Sequence, residues 1–365
     1  MADTDALLAT PLEGLHRELG ARMVPFAGYR MPLHYPRGIL AEHLHCRAAA
    51  ALFDVSHMGQ AELLGEGAAA ALERLTPADV QGLKPGRQRY ALLLNEGGGI
   101  VDDIMLAHLG SRLFLVVNAA RKAVDLPLIA AALPPGVTLR PLADRALIAL
   151  QGPGAVAAVA SLLPEVSGLS FMGVIERDGL IISRSGYTGE DGVEISLPAE
   201  QAEAFARRLL ALPGVAPAGL GARDSLRLEA GLCLYGQDLD ETTSPVEANL
   251  VWTIGKRRRL SWDFPGAERI RSELDSGPAR LRVGIRPQGR QPARAGTPIH
   301  PASGPEPVGI ITSGGFGPSV DGPIAMGYVA PAYARDGTPL SLMVRGKALP
   351  AAVAPLPFHP HRYAR

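Results

Sequence analysis

Between Tyr90 and Asn118 the chain runs YALLLN, EGGG, IVDDIMLAHL, GS and RLFLVVN, three apolar runs joined by connections too short for anything but hairpins. A parallel pair needs a crossover of about a dozen residues or more, so these runs form an antiparallel meander. The next stretch, Ala119–Leu133, is rich in Ala and Leu and stops at Pro134-Pro135-Gly136, which predicts a helix with its stop signal. Three strands followed by a helix make an α+β unit in which the helix covers one sheet face.

The same texture continues downstream. A short strand at Ala146–Leu150, a helix at Ala155–Leu163, a strand pair at Gly179–Arg184 and Gly192–Leu197, and a helix at Ala199–Leu212 are expected. In the last of these, Phe205, Leu209 and Leu212 fall at spacings of four and three, one apolar stripe, while Arg207 and Arg208 point elsewhere. After about Ser276 the helical period fades. Short β-rich runs at Leu281–Ile285, Val308–Thr312, Ala325–Val329 and Leu340–Val344 are separated by Pro and Gly, which predicts a separate barrel or sandwich.

A chain of 365 residues with 42 glycines and 32 prolines suits two or three turn-rich units. Its 36 basic residues balance 36 acidic ones, so no overall field draws it to nucleic acid or anionic lipid. Cys46 and Cys233 are too few for a disulfide framework or a zinc module. The apolar stretches fall short of the about 20 residues a membrane span needs. The start, MADTDALLAT, lacks the pattern of a signal or transit peptide, so a soluble, cytoplasmic, bacterial protein is expected.

Several motifs carry chemistry. Gly152-Pro153-Gly154 follows a strand and opens a helix, but Pro153 removes an amide that would face a pyrophosphate, and the strands around it are antiparallel, against a dinucleotide site. His43-Leu44-His45-Cys46 has no second cluster to complete a metal site. Asp102-Asp103 sits among Ile100, Val101, Ile104, Met105 and Leu106. Alternation puts Asp102 with Ile100 and Ile104, and Asp103 with Val101 and Met105. Either one of the pair is buried with a function that repays its desolvation, or the pair ends a hairpin and faces water. Glu194, between Val193 and Ile195 in a strand, also needs a partner. Arg223 and Arg227 lie one helical turn apart, as either a salt-bridge face or a ligand site. Lys256–Arg259 is a basic run.

Phe53-Asp54-Val55-Ser56-His57-Met58, Gly97–Asp103, Gly186–Glu194 and above all Gly219–Gly236 (GLGARDSLRLEAGLCLYG) together resemble the aminomethyltransferase of the glycine cleavage system, its T-protein. The likeness extends from about Pro11 to Tyr363. It implies an α+β, three-domain cloverleaf around a central folate channel: residues 1–52 with 142–275 as the first α+β domain, 53–141 as the second, and 276–365 as a C-terminal β-barrel or jelly-roll-like domain. It implies transfer of a one-carbon unit from the aminomethyl-dihydrolipoyl H-protein to tetrahydrofolate, with no metal. By resemblance Asp102 is the catalytic carboxylate and Asp103 its control. Glu194 accepts the two donors of the pterin edge, Arg223 binds ligand, and Met58, Tyr90, Asn118, Tyr187 and Tyr363 line the channel. A tetrahydrofolate-dependent demethylase and a non-catalytic folate-binding protein of the same fold are the alternatives. The second carries a Lys-Gly-Cys-Tyr-x-Gly-Gln signature, from which Gly231–Gly236 departs. A dehydrogenase with this fold needs a flavin domain, for which the length leaves no room. The basic run is a candidate contact for H-protein or for the glutamate tail of the folate.

Overall fold

The structure is a computed structural model and describes residues 7–364, so the start-of-chain reading for residues 1–6 lies outside the described residues. Three large β units divide the chain, beside a two-stranded antiparallel hairpin, Arg22–Phe26 and Tyr29–His34. The first is a six-stranded sheet ordered Val174–Arg177, Leu180–Ser183, Gly192–Pro198, Arg145–Gln151, Ala50–Asp54 and Val215–Pro217. Only the last pair is parallel. With antiparallel neighbours on both sides of Arg145–Gln151, Gly152-Pro153-Gly154 does not belong to a βαβ crossover. Gly152 serves packing instead, because a Cβ there would lie 2.3 Å from the Ala49 carbonyl oxygen.

Helices Ala155–Ala160 and Ala199–Leu210 cover this sheet, burying Val159, Phe205 and Leu209 against Ile148, Leu150 and Ile195. Each such side chain removes enough apolar surface from water to favour the folded state by about 1.5–3 kcal/mol. Arg207 and Arg208 stay exposed, as the stripe predicts. Both helices stop two or three residues before the sequence signals suggest, because their last residues leave the helical path ahead of Pro164 and Gly214.

The second unit is a five-stranded sheet in which the meander strands, Arg87–Leu94, Ile100–His108 and Arg112–Val117, are followed by Gly59–Leu64 and Thr138–Pro141. The expected helix is split into a single 3₁₀ turn, Ala119–Arg121, and an α-helix, Lys122–Ala131. One irregularity changes the reading of the aspartates. Leu93 faces Asp102 but Leu94 faces Ile100, so Val101 is an unpaired β-bulge residue. The bulge moves Val101 to the Asp102 side, in the core with Leu93, Ile104 and Leu106, and puts Ile100 on the Asp103 side with Leu92 and Leu94. Strict alternation had assigned Ile100 and Val101 the other way round.

The third unit is a closed six-stranded barrel from Leu281–Pro287 to Lys347–Ala354, filled by Val283, Ile285, Ile311, Leu342 and Val353. Two boundaries differ from those expected. The strand Ala50–Asp54 belongs wholly to the first sheet, so the chain crosses between sheets over residues 55–58 rather than at 52/53. Cys233, Leu239, Val246, Leu250, Phe264 and Ile270 pack on Leu92, Leu94 and Ile100, so most of residues 233–270 lies against the second sheet instead of completing the first unit.

Buried ion pairs tie the units together. Arg47 joins Glu190 and Glu229, His43 donates or accepts between Ser225, Glu229 and Ser319, and Arg362 of the C-terminal tail reaches Glu190. His43 is therefore occupied inside this network. Among the described residues no helix is long and apolar enough to cross a membrane.

Candidate active site

Where the three units meet lies a chamber of about 1090 Å³, at the upper end of the size of sites that enclose small organic ligands. Seven of the eight residues singled out from the sequence line it: Met58, Tyr90, Asn118, Tyr187, Glu194, Arg223 and Tyr363. Asp102 does not; Asp103 does.

The meander explains that exchange. Asp103 and Met105 face the chamber, whereas Asp102 points to the other side of the strand and has no solvent exposure. Asn118, which follows the last meander strand, serves both. Its side-chain nitrogen donates to Asp102 Oδ1 at 2.9 Å and to Asp103 Oδ1 at 2.9 Å, and its backbone N–H donates to Asp102 Oδ2 at 3.1 Å. Burial and the neighbouring Asp102 charge push the Asp103 carboxyl up to about 7, against the Tyr90 hydroxyl and the Asn118 amide that face it. A chamber carboxyl with this poise can exchange a proton near neutral pH.

Glu194 sits in Gly192–Pro198, and among the described residues its carboxylate accepts one bond, from Ser185 Oγ to Oε2 at 3.1 Å. Further lone pairs face the chamber and can accept a paired donor edge. Arg223, from the helix Leu220–Glu229, lies with its guanidinium 4.8 Å from the Tyr187 ring centroid. The Tyr187 hydroxyl donates to the Cys233 carbonyl, which fixes that ring. Arg227, its partner on the helix, is spent on Asp224 and Asp238, so the two arginines have separate duties.

Two aromatic pairs furnish flat walls: Tyr90 on Trp252, with centroids 5.5 Å apart and planes 27° from parallel, and Phe171 on Tyr363, 4.2 Å apart and 11°. His57 also lines the chamber, and burial pushes its imidazole down to about 4.

Two family profiles match this chain: the GCVT N-terminal domain over residues 12–258 and the glycine cleavage T-protein C-terminal barrel domain over 280–359. The chain belongs to the glycine cleavage T-protein family. It is 46% identical over 377 residues to the mitochondrial aminomethyltransferase of Gallus gallus, covering 98% of this chain and 94% of that one. It is 42% identical over 367 residues to the aminomethyltransferase of Synechococcus elongatus, covering 98% and 97%. The crystal structure of glycine cleavage system aminomethyltransferase T from Bartonella henselae matches with a TM-score of 0.95 and 45% identity, over 98% of this chain and 100% of that one. The three-unit T-protein architecture expected from the motifs is the one observed.

Sequence reading passed over Trp252, Phe171 and Asp125. Trp252 lies in a single 3₁₀ turn, Val251–Thr253, with no period to mark it. Asp125 reads as an ordinary acid in the first turn of an Ala/Leu helix, yet it is fully buried and faces Asp102. The basic run divides. Arg257 is exposed but pairs with Glu73 and Asp79, and Arg258 is buried against Glu73 and Asp263, so among the described residues Lys256 and Arg259 are the members of the run with no carboxylate partner.

Proposed function

We propose that this protein acts as an aminomethyltransferase. It takes the one-carbon unit from the aminomethyl-dihydrolipoyl arm of H-protein and gives it to tetrahydrofolate, with release of 5,10-methylenetetrahydrofolate, ammonia and dihydrolipoyl H-protein. The observation that carries this is one aromatic-walled chamber holding both a strand carboxylate with free lone pairs, Glu194, and a proton-exchanging carboxyl, Asp103.

The chamber fits the co-substrate by its donor set. Glu194 would hold the pterin through its N3–H and 2-amino donors, a bidentate contact open to a carboxylate. Tyr90 and Trp252, and Phe171 and Tyr363, offer faces for flat rings. Tetrahydrofolate, when bound, supplies the two nitrogens that bond the transferred carbon. The carbon loses its bonds to sulfur and to the amine nitrogen, and the protons released from the folate nitrogens leave with ammonia and the thiol.

Asp103 accepts one of these protons at a carboxylate oxygen, and its negative charge favours the cationic character that develops at the carbon. We assign this role to Asp103 in place of Asp102 because Asp103 has access to the chamber. Asp102 acts through Asn118, which it holds at two points. Arg223 offers a cation for a folate acceptor or carboxylate. A non-catalytic binding protein has no comparable use for a proton-exchanging carboxyl, and relatives 40–46% identical over nearly the whole chain are named aminomethyltransferase, which favours this reading over a demethylase.

The decisive assay mixes the protein with tetrahydrofolate and aminomethylated H-protein and measures ammonia and methylenetetrahydrofolate. Formation of both in equal amounts is expected. Absence of both with active partners would overturn the assignment.

A further inference from the structure

Behind Asp103, away from the chamber, lies a second carboxyl pair. Asp125, in the first turn of Lys122–Ala131, has no solvent exposure, and no N–H or O–H of the described residues bonds either of its oxygens. Its side chain faces Asp102, which is equally buried and whose hydrogen bonds come from Asn118. Two carboxyls in contact away from water cannot both be ionised unless a cation stands between them.

No cation bonds both. Arg121, one 3₁₀ turn ahead, is near enough for its charge to favour the Asp125 anion, but its guanidinium bonds Glu241 and lies 5.0 Å from the Tyr235 ring centroid, and it donates to neither Asp125 oxygen. Lys122 donates to the Tyr29 hydroxyl and the His57 carbonyl. The remaining titratable groups around the cluster are Asp103 itself, Tyr90 from the neighbouring strand, and Tyr187, Cys233 and Tyr235 from the loops, all uncharged at neutral pH apart from Asp103.

We propose that Asp125 is a positioning residue that holds a proton and donates it to Asp102 in a hydrogen bond. Asp102 is thereby kept an anion that fixes the Asn118 amide, and the amide in turn orients Asp103. The chain path supports this arrangement, because Asn118 directly follows the strand and the 3₁₀ turn Ala119–Arg121 carries Asp125 back onto the acceptor that Asn118 uses. Burial first, and Asp102 second, raise the Asp125 carboxyl to about 9, in accord with a proton resident there.

The inference rests on the reading of Asp103 as the carboxylate that touches substrate. Asp125→Ala removes the donor. Asp102 then takes up the proton, its charge no longer repels Asp103, and Asn118 loses its anchor. The expected result is turnover down by about tenfold to a hundredfold with little change in the KM for tetrahydrofolate, as for a misaligned group. The acid limb of the pH profile moves to lower pH by about one unit. Asp125→Asn keeps an N–H donor in the same place and is expected to recover most of the turnover and the position of that limb. Equal impairment in both variants, or an unmoved limb in Asp125→Ala, would overturn the proposal.

A second readout does not depend on turnover. The infrared carbonyl stretch of a protonated carboxylic acid, recorded at about pH 8, above the Asp103 carboxyl at about 7 and below the Asp125 carboxyl at about 9, is expected in the wild-type protein and is lost in Asp125→Asn. Its absence from the wild type refutes the resident proton even where turnover is normal. Its presence in a protein that makes no methylenetetrahydrofolate would condemn the functional reading and leave the buried acid standing.

Discussion

Asp102 and Asp103 are adjacent in the chain, lie on opposite sides of one strand, and share a single donor, the Asn118 amide nitrogen, 2.9 Å from an oxygen of each. Sharing that donor couples the two carboxyls geometrically while the strand keeps them chemically distinct. One is sealed in the core and the other opens to the chamber. The β-bulge at Val101 lies immediately before the pair, a position from which a bulge can re-aim the side chains that follow.

The division of labour predicts unequal substitutions. Asp103→Asn keeps the shape and removes the proton acceptor, so turnover is expected to fall by about 10²–10⁴-fold with tetrahydrofolate affinity nearly unchanged. Asp102→Asn is expected to lose less, because Asn118 can still bond Asp103 directly. Single-turnover rates and folate titrations on the two variants check this, and a larger loss in Asp102→Asn would return the catalytic role to Asp102.

Glu194→Gln tests the other carboxylate. An amide accepts at one end and donates at the other, so it cannot take both pterin donors. A lost hydrogen bond to a charged group is worth about 1.5–3 kcal/mol, an affinity loss of about tenfold to a hundredfold. Quenching of Trp252, which lines the same chamber, offers a fluorescence titration. Unchanged affinity would remove Glu194 from the pterin site.

What the sequence could and could not foretell follows from the range of each signal. Hairpin connections and Gly-marked turns are local, so the meander from Arg87 to Val117 is readable directly, as are the barrel strands and the stripe of Phe205 and Leu209. The bulge is not, because Val101 is as suitable in a regular strand as in a bulge. Which face of Ile100–His108 meets the chamber is also hidden, since residues distant in sequence, from Met58 to Tyr363, build that space. The family motifs single out seven lining residues but not Asp125, whose importance lies in contact with Asp102 rather than with the chamber. The stretch 233–270 contributes to neither sheet, so only its packing on Leu92, Leu94 and Ile100 reveals where it belongs.

Within the basic run, position predicts consequence. Arg258 is 2% exposed and bonds Asp263 and the carbonyls of Glu73 and Thr76. Arg258→Ala takes a buried guanidinium away from these acceptors and leaves a hole, and a loss of about 3 kcal/mol is expected, read as a lower thermal transition. Exposed Lys256→Ala is expected to leave the transition where it is. Equal transitions in the two variants would show that the Arg258 bonds contribute nothing net.

Glu229 supplies a pH dependence. Burial alone would raise its carboxyl, but hydrogen bonds and charge from His43, Ser319 and Arg47 outweigh this and hold it down at about 2, below its ordinary value of 4.5. A carboxyl depressed in the folded state binds more protons when unfolded. Its contribution is therefore complete above about pH 4.5 and is lost as pH falls toward 2. The depression corresponds to about 3 kcal/mol. Denaturation of wild type and Glu229→Gln across this range is expected to show a stability gap that is largest at neutral pH and narrows on acidification. A gap independent of pH would mean that the charge of Glu229 does not contribute, and that its hydrogen bonds alone hold His43, Arg47 and the barrel residue Ser319 together.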